Sequence, residues 1–414
     1  MNIANDSRSA VSAEHLRTTL IDRLRGHNIL TRPDVEAVLR SVPRHLFVPD
    51  VDLERAYADD TVLTKTDVDG TPLSMASQPH IVAMMLEQLD VQPAQRVLEI
   101  GAGTGYNAAL LARLTGDEGH VTTIDVDSDL VEGAREHLSS AEIRNVEVVL
   151  GDGAVGHHEN APYHRIIATV GAWAIPQAWL AQLAPGGRLV VPLRVAGGVT
   201  RSIVWIRVEH GWSSMDSQMC GFLPLRGGIG DDPRRTIALT PDGDVTLQVY
   251  HDQHAASGDL AGVLDTGSHE VWTDVSFGPG SSVEGLWLWL ACRLDNALMR
   301  MNVQRAPVEG GLVTPMFRWG SMATARGRSL AYLTWRATGS SEDGTKRWQV
   351  GVVGNGPAGR GLAQEMAEEA NVWNVQYRAR PVRFEIPDVP TVTDLSAGRI
   401  VLDRPHHQLA LIWE

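Results

Sequence analysis

Val97-Leu98-Glu99-Ile100-Gly101-Ala102-Gly103-Thr104-Gly105 sets three glycines at alternate positions, directly after an apolar run and before a segment with helical spacing. Glycine at such a junction lets the backbone turn sharply and lets a ligand approach without meeting a Cβ atom. Turns of this composition also serve purely structural ends, so the neighbouring acids matter. Asp125 closes the next apolar run, where a carboxylate can accept both hydroxyls of a ribose, and Asp152-Gly153 follows the run after that. Either aspartate alone is equally suited to cap a helix or make a turn. Their common position, at the carboxyl ends of successive strands, is where doubly wound sheets bind ligands. A nicotinamide dinucleotide asks for G-x-G-x-x-G and rests its pyrophosphate on a helix N-terminus. Here the third glycine comes one residue early, and Glu99 inside the strand suits a cationic ligand. S-adenosyl-L-methionine, a sulfonium without phosphate, is the better fit.

The elements needed to hold these residues are legible on both sides. The apolar runs Arg96 to Ile100, His120 to Asp125, Val146 to Leu150, Tyr163 to Thr169 and Arg188 to Pro192 read as strands. Helices Tyr106 to Leu114, Leu130 to Leu138 and Pro176 to Leu183 separate them, which predicts a parallel sheet covered on both faces, a Rossmann-like α/β domain. Upstream, residues 13 to 40 predict two helices, with Leu16, Leu20, Ile21 and Leu24 at helical spacing in the first and Pro33 opening the second. Pro43 to Gly70 lacks a steady period and reads as an ordered loop. Ser77-Gln78-Pro79 before His80 to Leu86 predicts a helix capped by the Ser77 hydroxyl. Ile203 to Glu209 and Gln218 to Leu225 predict closing antiparallel strands, and Gly227 to Pro233 a linker. Beyond it, Ser329 to Thr338 and Arg347 to Val353 predict a hairpin, Gly361 to Gln376 a helix and Val382 to Ile386 a strand, hence a second, α+β domain.

The formal charge of −14 and the lack of any Lys/Arg run argue against a nucleic-acid partner. Two cysteines, Cys220 and Cys292, give neither a disulfide framework nor a zinc spacing. No basic-then-apolar leader opens the sequence and no stretch approaches a membrane span, so a cytoplasmic location without a membrane partner is expected. The adjacent pairs His157-His158 and His406-His407 are poorly spaced for one metal, and no metal is expected. Glu365, Glu368 and Glu369 read as the wet face of a helix. Of the twelve tryptophans, eight fall in the second domain: Trp272, Trp287, Trp289, Trp319, Trp335, Trp348, Trp373 and Trp413. They supply core, or in part line a peptide groove.

Pro43-Arg44-His45-Leu46-Phe47-Val48-Pro49, Ser77-Gln78-Pro79-His80, Val97 to Gly105 with Tyr106, Gly151-Asp152-Gly153, Ala161-Pro162-Tyr163, Ile175-Pro176 and Leu183 to Val190 occur in this order. Together they resemble the protein-L-isoaspartate O-methyltransferases over roughly residues 12 to 227. The resemblance implies a class I methyltransferase domain over residues 1–228 that binds S-adenosyl-L-methionine. Gly101, Gly103, Gly105, Asp125, Asp152 and Gly153 then hold the cofactor together with Glu99, and Ser77 acts on the acceptor with His80 beside the methyl group. One departure concerns the T-I-S-x-P segment of the family, where Met75 replaces the threonine. Ser74 either supplies the missing hydroxyl at the cofactor or makes a simple turn.

The second departure is the added domain, residues 236–414. Long variants with such a domain resemble the methyltransferases of ribosomally made, modified peptides of the lanthipeptide, lasso peptide and graspetide pathways, which implies peptide recognition by this domain. The expected reaction is O-methylation of an aspartate carboxylate, leading to succinimide (aspartimide) and onward to isoaspartate. Repair of L-isoaspartyl residues in damaged proteins is the alternative. A silent Rossmann scaffold is disfavoured by the intact Glu99, Gly101, Gly103, Asp125 and Asp152.

Overall fold

Val97, Leu98 and Ile100, with Val121 and Ile124 beside them, are fully buried, because a parallel strand covered by helices on both faces has no wet side. The computed structural model describes residues 12–226, 233–340 and 346–414, which divide into two compact units. The first holds residues 12–192 and 202–226, and the second 193–201 and 233–414.

In the first unit, α1 (Ala13–Gly26) is capped by the Ser12 hydroxyl, and Leu20, Ile21 and Leu24 form its buried face. α2 (Pro33–Ser41) opens on its proline as expected. The segment read as loop is more regular than that: it holds a short α3 (Leu53–Ala56) and the first strand of an antiparallel hairpin, β1 (Val62–Thr66) with β2 (Pro72–Ala76). Four of the five β1 residues are exposed or half-buried, so no apolar alternation marks the strand. α4 (Pro79–Leu89) leads into β3 (Arg96–Ile100), α5 (Tyr106–Thr115), β4 (His120–Asp125), α6 (Ser128–Ser140), β5 (Val146–Leu150), β6 (Tyr163–Ala168), α7 (Gln177–Ala181) and β7 (Leu183–Ala196). β3 pairs in parallel with β4 and β6, β4 with β5, and β6 with β7. β8 (Val199–Val208) and β9 (Gly211–Met219) extend the sheet to the order β9-β8-β7-β6-β3-β4-β5. The last strand thus lies upstream of the expected Gln218 to Leu225, and the chain after Met219 is irregular apart from a bridge between Gly171 and Pro224.

The linker read at Gly227 to Pro233 lies, save for Pro233, outside the described residues. The second unit then supplies β10 (Arg234–Ala238), β11 (Val245–Tyr250), α8 (Ser257–Leu260), β12 (Ser268–Phe277), α9 (Glu284–Arg293), β13 (Met299–Val303) and α10 (Arg305–Glu309). β14 (Gly320–Arg326), β15 (Ser329–Ser340), β16 (Lys346–Asn355) and α11 (Gly359–Val372) follow. A seven-stranded antiparallel sheet runs β10-β11-β13-β14-β15-β16-β12. β17 (Val382–Pro387), β18 (Arg399–Asp403) and β19 (Gln408–Trp413) add an antiparallel trio centred on β19.

Trp287, Trp289, Trp373 and Trp413 are core, whereas Trp319 is 41% exposed and Trp272, Trp335 and Trp348 are half-buried. Glu369 departs from the expected wet face: it pairs with Arg293 at 2.9 Å and accepts from the Trp289 indole, while Glu365 pairs with Arg326. The tip of the β7–β8 hairpin belongs to the second unit. There Arg194 is nearly inaccessible, 3.1 Å from Asp252 and stacked 4.2 Å over Tyr250, while Gly198 N donates to Leu298 O at 2.6 Å.

Candidate active site

The turn after β3 is pinned to β4. Gly101 N and Ala102 N both donate to Ile124 O, at 2.8 and 3.0 Å. Gly103 N donates to Asp125 Oδ2 at 2.9 Å, so the acid ending β4 is fixed against the glycine turn by one oxygen. Gly101 has φ +99°, and a Cβ there would stand 2.8 Å from Thr169 Oγ1, whose hydroxyl donates to Gly101 O. Gly105, at φ +85°, is the N-cap of α5. Above Gly103 the space is open: a Cβ there would meet only Ser74 Oγ, at 3.9 Å. The fold thereby brings Ser74, Gly103 and Asp125 together at the carboxyl edge of the sheet.

Glu99 is fully buried in β3 beneath this turn, with Oε1 accepting from Asn107 Nδ2 at 2.8 Å and Oε2 from Thr123 Oγ1 at 2.6 Å. Burial pushes its carboxyl up to about 7, against the pull of those two donors. Both of its oxygens are already engaged.

Asp152 caps the short turn Gly153–Val155 through Ala154 N at 2.8 Å. Gly153 is buried against Ile100, where a Cβ would stand 2.6 Å from Ile100 Cγ2, and its carbonyl accepts from Trp179 Nε1. Gly153 thus packs on Ile100 at the end of β3, and no hydrogen bond joins Asp152 to the glycine turn among the described residues.

β2 delivers Ser74 and the Ser77 turn. Ser74 is buried and accepts from Thr64 Oγ1 at 2.9 Å across the hairpin. Ser77, half-buried between β2 and α4, does not cap α4 as its sequence suggests: the N-cap is Gln78, whose side chain makes no capping bond. His80 N instead donates to Asp59 Oδ1 at 2.9 Å, and the Ser77 hydroxyl has no hydrogen bond among the described residues.

Sequence reasoning passed over an ion cluster beside Asp125. Arg226 grips Asp127 with both terminal nitrogens, at 2.6 and 3.2 Å, and Lys65 bridges Asp127 and Asp129 at 3.0 and 2.6 Å. The Arg226 hydrogen bond is the main reason the Asp127 carboxyl lies below the usual aspartate range. This cluster ties β1 and the segment after β9 to the loop behind Asp125. The spacing Asp125-x-Asp127 was the only local hint of it.

The donor set suits S-adenosyl-L-methionine. Asp125 keeps acceptor capacity for a ribose diol and the open face of Gly103 admits a ligand.

Comparison with known proteins agrees. The family model described as protein-L-isoaspartate(D-aspartate) O-methyltransferase matches residues 15–228. The protein-L-isoaspartate O-methyltransferase of Methanothrix thermoacetophila is 39% identical over 216 residues, covering 51% of this chain and 95% of the relative. Protein-L-isoaspartate O-methyltransferase 2 of Archaeoglobus fulgidus is 39% identical over 225 residues, covering 52% and 94%. A solved protein-L-isoaspartate O-methyltransferase covers 90% of this chain and 96% of its own, at 19% identity and a TM-score of 0.47. With residues 15–228 matched by the family model and the Methanothrix and Archaeoglobus relatives covered along nearly their whole length, the chain belongs to the protein-L-isoaspartate(D-aspartate) O-methyltransferase family and is a carboxyl O-methyltransferase that uses S-adenosyl-L-methionine.

Proposed function

We propose that the acceptor is the side-chain carboxylate of an aspartate in a ribosomally made, modified peptide, and that the methyl ester closes to a succinimide. The observation that carries this reading is the acceptor turn. Met75 removes the hydroxyl that the family motif places two residues before Ser77, leaving Ser74, already engaged by Thr64, and the unengaged Ser77. The second unit, with its half-buried Trp272, Trp335 and Trp348, supports a role in peptide recognition.

An aspartate carboxyl ionises near pH 4, so at neutral pH the acceptor is already a nucleophile and no strong base is needed. S-adenosyl-L-methionine, when bound, supplies a sulfonium-borne methyl group that the carboxylate oxygen takes, the C–S electron pair staying on sulfur. The chain's residues position and exclude water. Asp125 and the Gly101–Gly105 turn, with Gly153 and Asp152 beneath them, form the cofactor side. Ser77 would donate to the acceptor carboxylate and orient one of its oxygens toward the methyl group, with His80 and Ser74 flanking it. Holding the two reactants in that alignment, away from water, lowers the barrier by several kcal/mol. The amide nitrogen of the following residue then attacks the ester carbonyl and expels methanol, and hydrolysis of the ring gives aspartate and isoaspartate. A cytoplasmic site of action is part of this proposal; among the described residues no helix is long and apolar enough to cross a membrane.

A second reading, repair of L-isoaspartyl residues, is favoured by the identity with relatives of that name. Labelled S-adenosyl-L-methionine should be offered with an L-isoaspartyl peptide and, separately, with a modified precursor peptide encoded beside the gene. Methyl transfer to an unmodified aspartate of the precursor is expected. Transfer to the isoaspartyl peptide alone would overturn the proposal in favour of repair.

A further inference from the structure

The first turn of α4 has an unusual arrangement of caps. A helix start leaves its first amides without intrahelical partners, and a serine three residues before an exposed amide is the ordinary remedy. Ser77 and His80 have that spacing, with Pro79 between them contributing no N–H. Yet the His80 amide is taken by the Asp59 carboxylate at 2.9 Å. The Asp59 carbonyl also accepts from Gln78 Nε2 at 3.0 Å, so one residue, 21 positions upstream of His80, holds the turn at two points. An aspartate at a helix N-terminus is also favoured by the helix dipole. Asp59 itself follows α3, whose Ala56 carbonyl is held by Arg44 Nε at 2.9 Å. The Arg44 guanidinium is 1% exposed and lies over the Tyr106 ring, and neither of its terminal nitrogens has a hydrogen-bond partner among the described residues, which leaves its charge to be balanced by neighbours such as Asp59.

We propose that Asp59 is a positioning residue for methyl transfer: by occupying the His80 amide it keeps the Ser77 hydroxyl off the helix and available to the acceptor carboxylate. The inference rests on the role given to Ser77 above. Without Asp59 the nearest cap for His80 N is Ser77 itself, and a serine committed to its own helix is lost to the substrate. Asparagine at position 59 keeps a capping oxygen of equal rank.

The test is a double-mutant cycle on the full chain, using whichever peptide, precursor or isoaspartyl, accepts methyl in the assay above. Asp59→Ala should lower kcat about tenfold, the effect of losing one cap expressed as rate, with the Kd for S-adenosyl-L-methionine unchanged. Asp59→Asn should return kcat to within about threefold of the wild type. Asp59→Ala should cost nothing further in a Ser77→Ala background, because the two act as one unit. Thermal midpoints of all variants, and Asp59→Asn should Asp59→Ala fail to fold, separate misfolding from mispositioning. Additive losses, or Asp59→Ala at the wild-type rate while Ser77→Ala is slow, overturn the inference alone. Wild-type turnover by Ser77→Ala overturns the functional reading and this inference with it.

Discussion

Glu99→Gln should alter how the stability of the chain responds to pH. The Glu99 carboxyl is fully buried and held at about 7, above its ordinary 4.5. Between those values the folded chain keeps a proton here that the unfolded chain has released. The stability tied to that proton is complete below pH 4.5 and is lost as the pH rises through 7. The gap between the two values is worth ~3 kcal/mol. Glutamine preserves the volume, and its oxygen can receive Asn107 Nδ2 while its nitrogen donates to a rotated Thr123 hydroxyl, so both present partners are retained. Urea unfolding of both proteins from about pH 5 to 8 should show the wild type losing ~3 kcal/mol relative to the variant. Parallel curves would mean that Glu99 is ionised throughout, and would refute the claim that burial outweighs its two donors.

Other expectations follow from the same geometry. Gly101→Ala places a Cβ 2.8 Å from Thr169 Oγ1 at φ +99°; a loss of at least about 2 kcal/mol in stability is expected, read by thermal unfolding. Asp125→Ala frees Gly103 N and removes the ribose acceptor, so calorimetry should show cofactor affinity falling about ten- to a hundredfold with the fold intact. Arg226→Ala removes the bidentate partner of Asp127 and leaves it Lys65 alone. The stability it removes, about 1 kcal/mol, should shrink in high salt and vanish as the pH falls below the ordinary aspartate value of 3.8, since the paired carboxyl titrates lower when folded.

The parallel strands were legible because a strand buried on both faces is written as a mainly apolar run ending in a turn, as Val97 to Gly105 shows with Glu99 its one charged residue. The glycine turn and Asp125 followed from the position of those runs. What could not be read locally was the approach to Ser77. β1 is largely exposed and carries no period, and the cap of α4 is supplied by a carboxylate far back in the sequence, so spacing alone assigned that task to Ser77. The tryptophans divided for a similar reason: Trp289 stacks on Tyr377 inside the core while Trp319 stays exposed, a difference set by helix and strand packing rather than by residue type.

The tip of the β7–β8 hairpin bears on how such a chain can be cut or recombined. Leu193, Val195, Ala196 and Val199 are buried, and Arg194 has its counter-charge at Asp252. A fragment ending near residue 226 would keep these side chains and lose Asp252, Tyr250 and Leu298, leaving a greasy, charged spur at the tip of the hairpin. A shortened version cut there will need a redesigned hairpin tip in which these apolar side chains and Arg194 are replaced.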